Sequence, residues 1–229
     1  MEPVIRNFRN VYSPEGPAAR LIWLEDNPPT CTMTYSEIYP DKTSAHHIHP
    51  WEHEVYIIKG AGTLVCDGKE YPVRAGDAIF IPGSVDHYTL NNGGQGVIRR
   101  IEVNPLIAAR SDGARNQGGQ GTGQPPVIRN LSEIDQSDGP ARPIITAKDG
   151  APNYIMAFRS LDPGNTAPNH AHPGEHQAYI LEGSCTLSVD GKDYTVSEGD
   201  AVLVPPHSQH EWRSNSQYIT KWLVFNPVR

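Results

Sequence analysis

The sequence predicts an all-β fold built twice. Three observations predict it. The chain repeats itself at a constant offset of 123 residues, turn signals recur about every ten residues, and helical periodicity is scarce. Regular turn spacing favours a sandwich or barrel over alternating strand–helix units.

The repeat runs in order along the chain. Val4-Ile5-Arg6-Asn7 returns as Val127-Ile128-Arg129-Asn130, and Gly16-Pro17-Ala18 as Gly139-Pro140-Ala141. Thr63-Leu64-Val65-Cys66, Asp67-Gly68 and Glu70-Tyr71-Pro72-Val73 read as a hairpin with an Asp-Gly turn. Thr186-Leu187-Ser188-Val189, Asp190-Gly191 and Asp193-Tyr194-Thr195-Val196 are its twin. Gly76-Asp77 and Pro82 match Gly199-Asp200 and Pro205. A one-residue slip then brings Asn104-Pro105 onto Asn226-Pro227. Leu131–Asp135 reads as one short turn of helix. We place the domains at 1–106 and 127–229. The stretch 107–126 joins them, and its run Asn116–Gln124, rich in Gly and Gln, reads as a flexible linker.

Composition narrows the function. Of 229 residues, 19 are Lys or Arg and 26 Asp or Glu, a net charge of −7 with no basic stripe, which argues against nucleic-acid binding. No apolar run approaches the ~18 residues of a membrane span, and no secretory signal is evident at the N-terminus. The three cysteines (Cys31, Cys66, Cys185) form no CxxC pair. A reducing, cytoplasmic setting is therefore expected, for a monomer or homodimer that binds a small molecule.

The chemistry sits in His47, His49, His53 and His87, and again in His170, His172, His176 and His210. Residues two apart on a strand share a face, and a bend at Pro50 can return His53 to the point at which His47 and His49 aim. Converging neutral imidazoles make a metal site. His46 and His207 read as flanking residues. Glu52 and Glu175, each just before a third histidine, read as solvated loop carboxylates, with an orienting or basic role as the functional alternative. Tyr35 and Phe158 fall on a strand that could line each barrel, with ordinary core aromatics as the default reading. Trp51 could roof the first site where Gly174 leaves the second uncovered, while Trp212 shares the face of His210 and Thr89 that of His87; Trp212 reads as core packing that would still narrow the second pocket. A loop residue swings aside more easily than a strand residue, so the first pocket is expected to be the roomier and the more active.

The spacings His47-x-His49-x3-His53-x6-Gly60 and Gly76-x5-Pro82-x-Ser84-x2-His87-x3-Asn91 resemble the two motifs of the cupins. So do His170-x-His172-x3-His176-x6-Gly183 and Gly199-x5-Pro205-x-His207-x2-His210. The resemblance implies two tandem cupin barrels (double-stranded β-helices, or jelly rolls), each holding a divalent metal. An imidazole stands where most metal cupins have a glutamate, as in the four-histidine subgroup. Four neutral ligands leave the metal its full charge and favour an anionic substrate or enolate. Iron or manganese suits redox work, with zinc, nickel, cobalt and copper as alternatives. The leading expectation is a dioxygenase acting on a small enolisable or aromatic substrate. A non-redox isomerase, cyclase, lyase or decarboxylase is the second, and a binding module without catalysis the third.

Overall fold

A computed structural model describes residues 2–16, 18–92, 96–111, 121–137 and 139–228. The first copy contains β1 (Val4–Asn7), β2 (Ala19–Ile22), β3 (Cys31–Ile38), β4 (His53–Lys59), β5 (Ala61–Cys66), β6 (Lys69–Arg74), β7 (Asp77–Ile81), β8 (His87–Leu90) and β9 (Ile98–Pro105), then a short helix α1 (Leu106–Arg110). The second contains β10 (Val127–Asn130), β11 (Arg142–Ile145), β12 (Tyr154–Leu161), β13 (Thr166–His170), β14 (His176–Glu182), β15 (Ser184–Val189), β16 (Lys192–Ser197), β17 (Asp200–Val204), β18 (His210–Arg213) and β19 (Thr220–Pro227). The fold is thus nearly all β. The expected short turn of helix is a 3-10 turn at Leu131–Glu133. Of the Gly/Gln run, residues 116–120 lie outside those described. In its described part, Thr122 N–H donates to Ser84 O at 3.0 Å and Gly123 N–H to Asp67 Oδ2 at 2.8 Å.

Local sequence explains the strands. β15 alternates half-buried and buried residues, so one face meets the barrel interior. β7 and β17 are buried at every residue, as their near-continuous apolar runs require. Both hairpins turn through left-handed pairs, Asp67 (φ 47°) with Gly68 (φ 74°) and Asp190 (φ 49°) with Gly191 (φ 78°), the backbone that an Asp-Gly turn supplies.

The two copies exchange their first strands. One six-stranded sheet runs β1-β17-β14-β19-β12-β11 and the other β10-β7-β4-β9-β3-β2. β1 lies antiparallel on β17, from Val4 opposite Leu203 to Asn7 opposite Asp200. β10 lies on β7, from Val127 opposite Phe80 to Asn130 opposite Asp77. Each exchanged strand ends in an asparagine whose amide donates to the aspartate opposite at 2.7 Å, Asn7 to Asp200 and Asn130 to Asp77. The smaller sheets β13-β18-β15-β16 and β6-β5-β8 complete the two barrels.

Three cores result. Ile38, Val55, Ile57, Leu64 and Ile79 fill the first barrel. Ile180, Leu187, Val202, Trp212 and Trp222 fill the second. The third is shared, with Met33, Tyr35, Tyr56 and Ile101 of the first copy packed with Met156, Phe158, Tyr179 and Phe225 of the second. Tyr35 and Phe158 are thus core aromatics, the default reading of their strand, and not residues lining the barrels. Their parity is opposite to that of Ser36 and Arg159, and they point into the interface between copies. Tyr154 OH donates to Val103 O at 2.7 Å and Gln177 Nε2 to Cys31 O at 2.6 Å across it. All three cysteines are buried and free.

Candidate metal centres

Both histidine groups assemble as expected. In each, one nitrogen from every histidine lies within 4.8 Å of the others: His47, His49, His53 and His87 in one, His170, His172, His176 and His210 in the other. Strand pairing places them. His47 and His87 exchange backbone hydrogen bonds in an isolated bridge (3.2 and 3.0 Å), and His170 on β13 is opposite His210 on β18. His53, His87, His176 and His210 each begin a strand, at the mouth of a barrel.

The hydrogen bonds fix the tautomers. His49 Nδ1 lies 2.8 Å from Trp51 O, and His87 Nδ1 2.7 Å from Val85 O. His170 Nδ1 lies 2.8 Å from Pro168 O, and His210 Nδ1 2.9 Å from Ser208 O. A carbonyl can only accept, so each Nδ1 carries the proton and each Nε2 keeps its lone pair. His53 Nδ1 pairs with Asn104 Oδ1, and His176 Nδ1 with Asn226 Oδ1. The freed Nε2 atoms converge, with His49 and His53 at 2.6 Å and His172 and His176 at 2.8 Å. Nε2 of His87 and of His210 is buried without a hydrogen-bond partner. Buried lone pairs with no donor to meet them are what a divalent metal satisfies. Burial and the His87 charge lower His49 to about 4, and burial and the His210 and His172 charges lower His176 to about 3. These two imidazoles are therefore neutral, as ligands must be.

The surroundings differ between the sites. At the first, the Trp51 indole lies flat on His49, with centroids 4.4 Å apart and planes 7° apart. His49, His53 and His87 are buried. At the second, Gly174 stands in place of Trp51 and His170 is exposed. A cavity of about 1210 Å³ opens there, its walls including Pro143, Lys148, Ile155, Gly174, Glu175 and Val228 beside His170, His172 and His176. The expectation that the first pocket is the roomier is thus corrected. Trp212 does point inward, but it stacks on Trp222 (4.9 Å, 22°) inside the barrel core and is absent from the cavity wall. The difference between the sites therefore lies at Trp51 and Gly174, and not at Trp212.

The carboxylates were also misjudged. Glu52 and Glu175 are buried (4% and 2% exposed), not solvated. Glu52 Oε1 accepts from Asn153 Nδ2 at 2.7 Å, whereas Glu175 lines the cavity. His46 and His207 stay outside the quartets, as expected: His46 is exposed and bonds Asp86 at 2.8 Å, and His207 occupies a left-handed turn (φ 63°).

Sequence reading missed the residues behind the ligands. Asn104 and Asn226, visible only as a repeated Asn-Pro pair, hold His53 and His176. Arg100, Glu102 and Asn104 share one face of β9. Glu102 Oε1 accepts from Asn104 Nδ2 at 3.0 Å, and its Oε2 lies 3.3 Å from Arg100 Nη2. Burial pushes the Glu102 carboxyl up, but His53, Arg100 and the Asn104 amide outweigh it and hold it well below the usual range.

The model of the cupin domain matches residues 34–102 and 157–226, and the chain belongs to that family. It is a bicupin with two four-histidine groups. It is 35% identical over 63 residues to gentisate 1,2 dioxygenase 1 of Aquipseudomonas alcaligenes, covering 27% of this chain and 18% of that enzyme. The curated relatives are matched over 18% to 61% of their own lengths. The fold is similar to a mutant of oxalate decarboxylase OxdC of Bacillus subtilis (TM-score 0.75, 13% identity, 97% of this chain and 76% of that one). It is also similar to salicylate 1,2-dioxygenase of Pseudoaminobacter salicylatoxidans with gentisate (TM-score 0.74, 14% identity, 98% and 81%).

Proposed function

We propose that the chain is a metal-dependent oxidoreductase, a dioxygenase that takes a small enolisable or aromatic substrate at the C-terminal quartet. The observation that carries this reading is the cavity of about 1210 Å³ opening onto His170, His172 and His176, while at the first quartet the Trp51 indole stacks on His49. The partial identity to a gentisate dioxygenase supports the reaction class.

A divalent metal held by His170, His172, His176 and His210, iron or manganese by preference, supplies Lewis acidity and one-electron chemistry toward O₂. The protein does the rest. Pro168 O, Asn226 Oδ1 and Ser208 O hold three imidazole rings through Nδ1. Pro143, Ile155 and Val228 present apolar wall to the body of a substrate, and Lys148 presents a cation to an anionic end. The N-terminal quartet, with three of its four histidines buried, would hold a structural metal.

Oxygen uptake by metal-loaded protein on a panel of β-diketones, flavonols, catechols and hydroxybenzoates tests this. Uptake should survive His49→Ala and vanish with His172→Ala, with fold and the other metal retained in both. Turnover without oxygen would replace the dioxygenase reading with a non-redox one. Tight binding without turnover would leave a binding protein.

A further inference from the structure

The two quartets have the same ligands, yet one strand face behind them has diverged. In the first barrel, Arg100, Glu102 and Asn104 on β9 point toward the site. One slip-corrected repeat later, Trp222, Val224 and Asn226 stand there on β19. The asparagine is kept, and the charged pair is replaced by apolar side chains packed in the second core.

We propose that Glu102, acting through Asn104, makes the N-terminal quartet the tighter of the two metal sites. The link is continuous. Asn104 Nδ2 donates to Glu102 Oε1 at 3.0 Å, so its Oδ1 is the end left for His53 Nδ1–H. Glu102 Oε1 itself lies 3.6 Å from His53 Nδ1. The carboxylate thus fixes which way the amide points, and with it the tautomer and ring angle of a ligand. Of the Arg100–Glu102 pair it is the carboxylate that lies against the ligand ring, so the acceptor behind His53 is charge-assisted. Three donors or charges hold the pair in place: Arg100 Nη2 lies 3.3 Å from Glu102 Oε2, Arg100 Nε donates to Ser36 Oγ at 3.1 Å, and Arg100 Nη1 to Thr89 Oγ1 at 3.4 Å. With side chains 11% and 18% exposed, Arg100 and Glu102 are little screened by water. In the second barrel Val224 can neither orient the Asn226 amide nor lend charge to the acceptor behind His176.

Glu102 is therefore a positioning residue. The inference rests on reading the quartets as metal sites, and the experiment separates the two. Full-length chain carrying His172→Ala reports the first quartet alone, and His49→Ala the second. Co²⁺ is titrated into each against a competing chelator, with the visible d–d band as readout. The first site should bind more tightly by about 10- to 100-fold, and Glu102→Gln should abolish that difference. Adding Asn104→Asp to Glu102→Gln puts a carboxylate directly on His53 Nδ1 and should restore the affinity, a rescue that a packing role does not predict. Melting of the metal-free variants checks the fold. Equal affinities in the two parent forms, or a Glu102→Gln form that binds Co²⁺ as tightly as its parent, would overturn the proposal while leaving the metal sites standing. No Co²⁺ bound by either parent would overturn both.

Discussion

Replacing Glu54 with glutamine should stabilise the protein, and more so as pH rises. Glu54 follows the ligand His53 on β4 but points the other way, into the core that the two copies share. It is fully buried, and neither carboxylate oxygen has a hydrogen-bond partner. Burial first, then the charges of Glu52 and Asp149, push its carboxyl well above the ordinary value. Cys31 and Tyr154, raised chiefly by burial, keep their protons and add no cation. The sign follows from linkage. The unfolded carboxyl ionises near pH ~4.3 while the folded one stays protonated to higher pH. Its contribution to stability is therefore full below about pH 4.3 and is lost as pH rises toward the raised folded value. The other copy shows the remedy, because Gln177 stands 123 residues on and donates to Cys31 O at 2.6 Å. A glutamine at 54 would find Tyr154 O, the counterpart of that carbonyl. Removing an unsatisfied buried group is worth about 1–3 kcal/mol, or a melting temperature roughly 2–12 °C higher in a chain of this length. Metal-loaded Glu54→Gln and parent are compared by thermal melting at pH 4.5 and 7.5. A gain at 7.5 that shrinks at 4.5 is expected. An equal gain at both pH values, or a loss at 7.5, would refute the assignment of Glu54 as a neutral, unpartnered group.

Two further outcomes follow from the cover of the sites. Trp51→Ala should cost about 3–5 kcal/mol, since it removes a side chain that is 5% exposed, and should speed chelator stripping of the first metal; an unchanged stripping rate would mean that Trp51 only packs. Gly174→Trp gives the second site the first one's cover, at the modest cost of a Cβ 3.2 Å from Pro227 Cγ, and should cut turnover at least tenfold with metal content unchanged; full turnover would place the substrate elsewhere.

The two histidine clusters were legible because their geometry is local. Histidines two apart, a turn, and a histidine opening the next strand are short-range facts, and duplication states them twice. Strand exchange was not legible. Val4–Asn7 and Val127–Asn130 are the same four residues, so either fits either sheet, and nothing local distinguishes the partners. The support behind the ligands was hidden for another reason. Glu102 and Asn104 lie some fifty residues after His53, and only the pairing of Glu54 with Val103 brings their strand beside it. The order of openness failed on one premise, that a loop tryptophan is free to swing. The Pro50-Trp51 loop is pinned instead. A Cβ on Gly83 would sit 2.3 Å from Pro50 O, so the loop lies directly on that glycine, and Ser84 N–H holds His49 O at 2.6 Å. In the second copy Pro206 takes the place of Gly83 and Gly174 that of Trp51; the pinning bond survives as His207 N–H to His172 O at 2.8 Å, but the indole and the glycine under the loop are gone. A duplicated gene first copies ligands and walls alike. Here the eight histidines stayed the same while the cover and the interior charges changed, which is the pattern expected if one centre kept its metal for stability and the other was opened for chemistry.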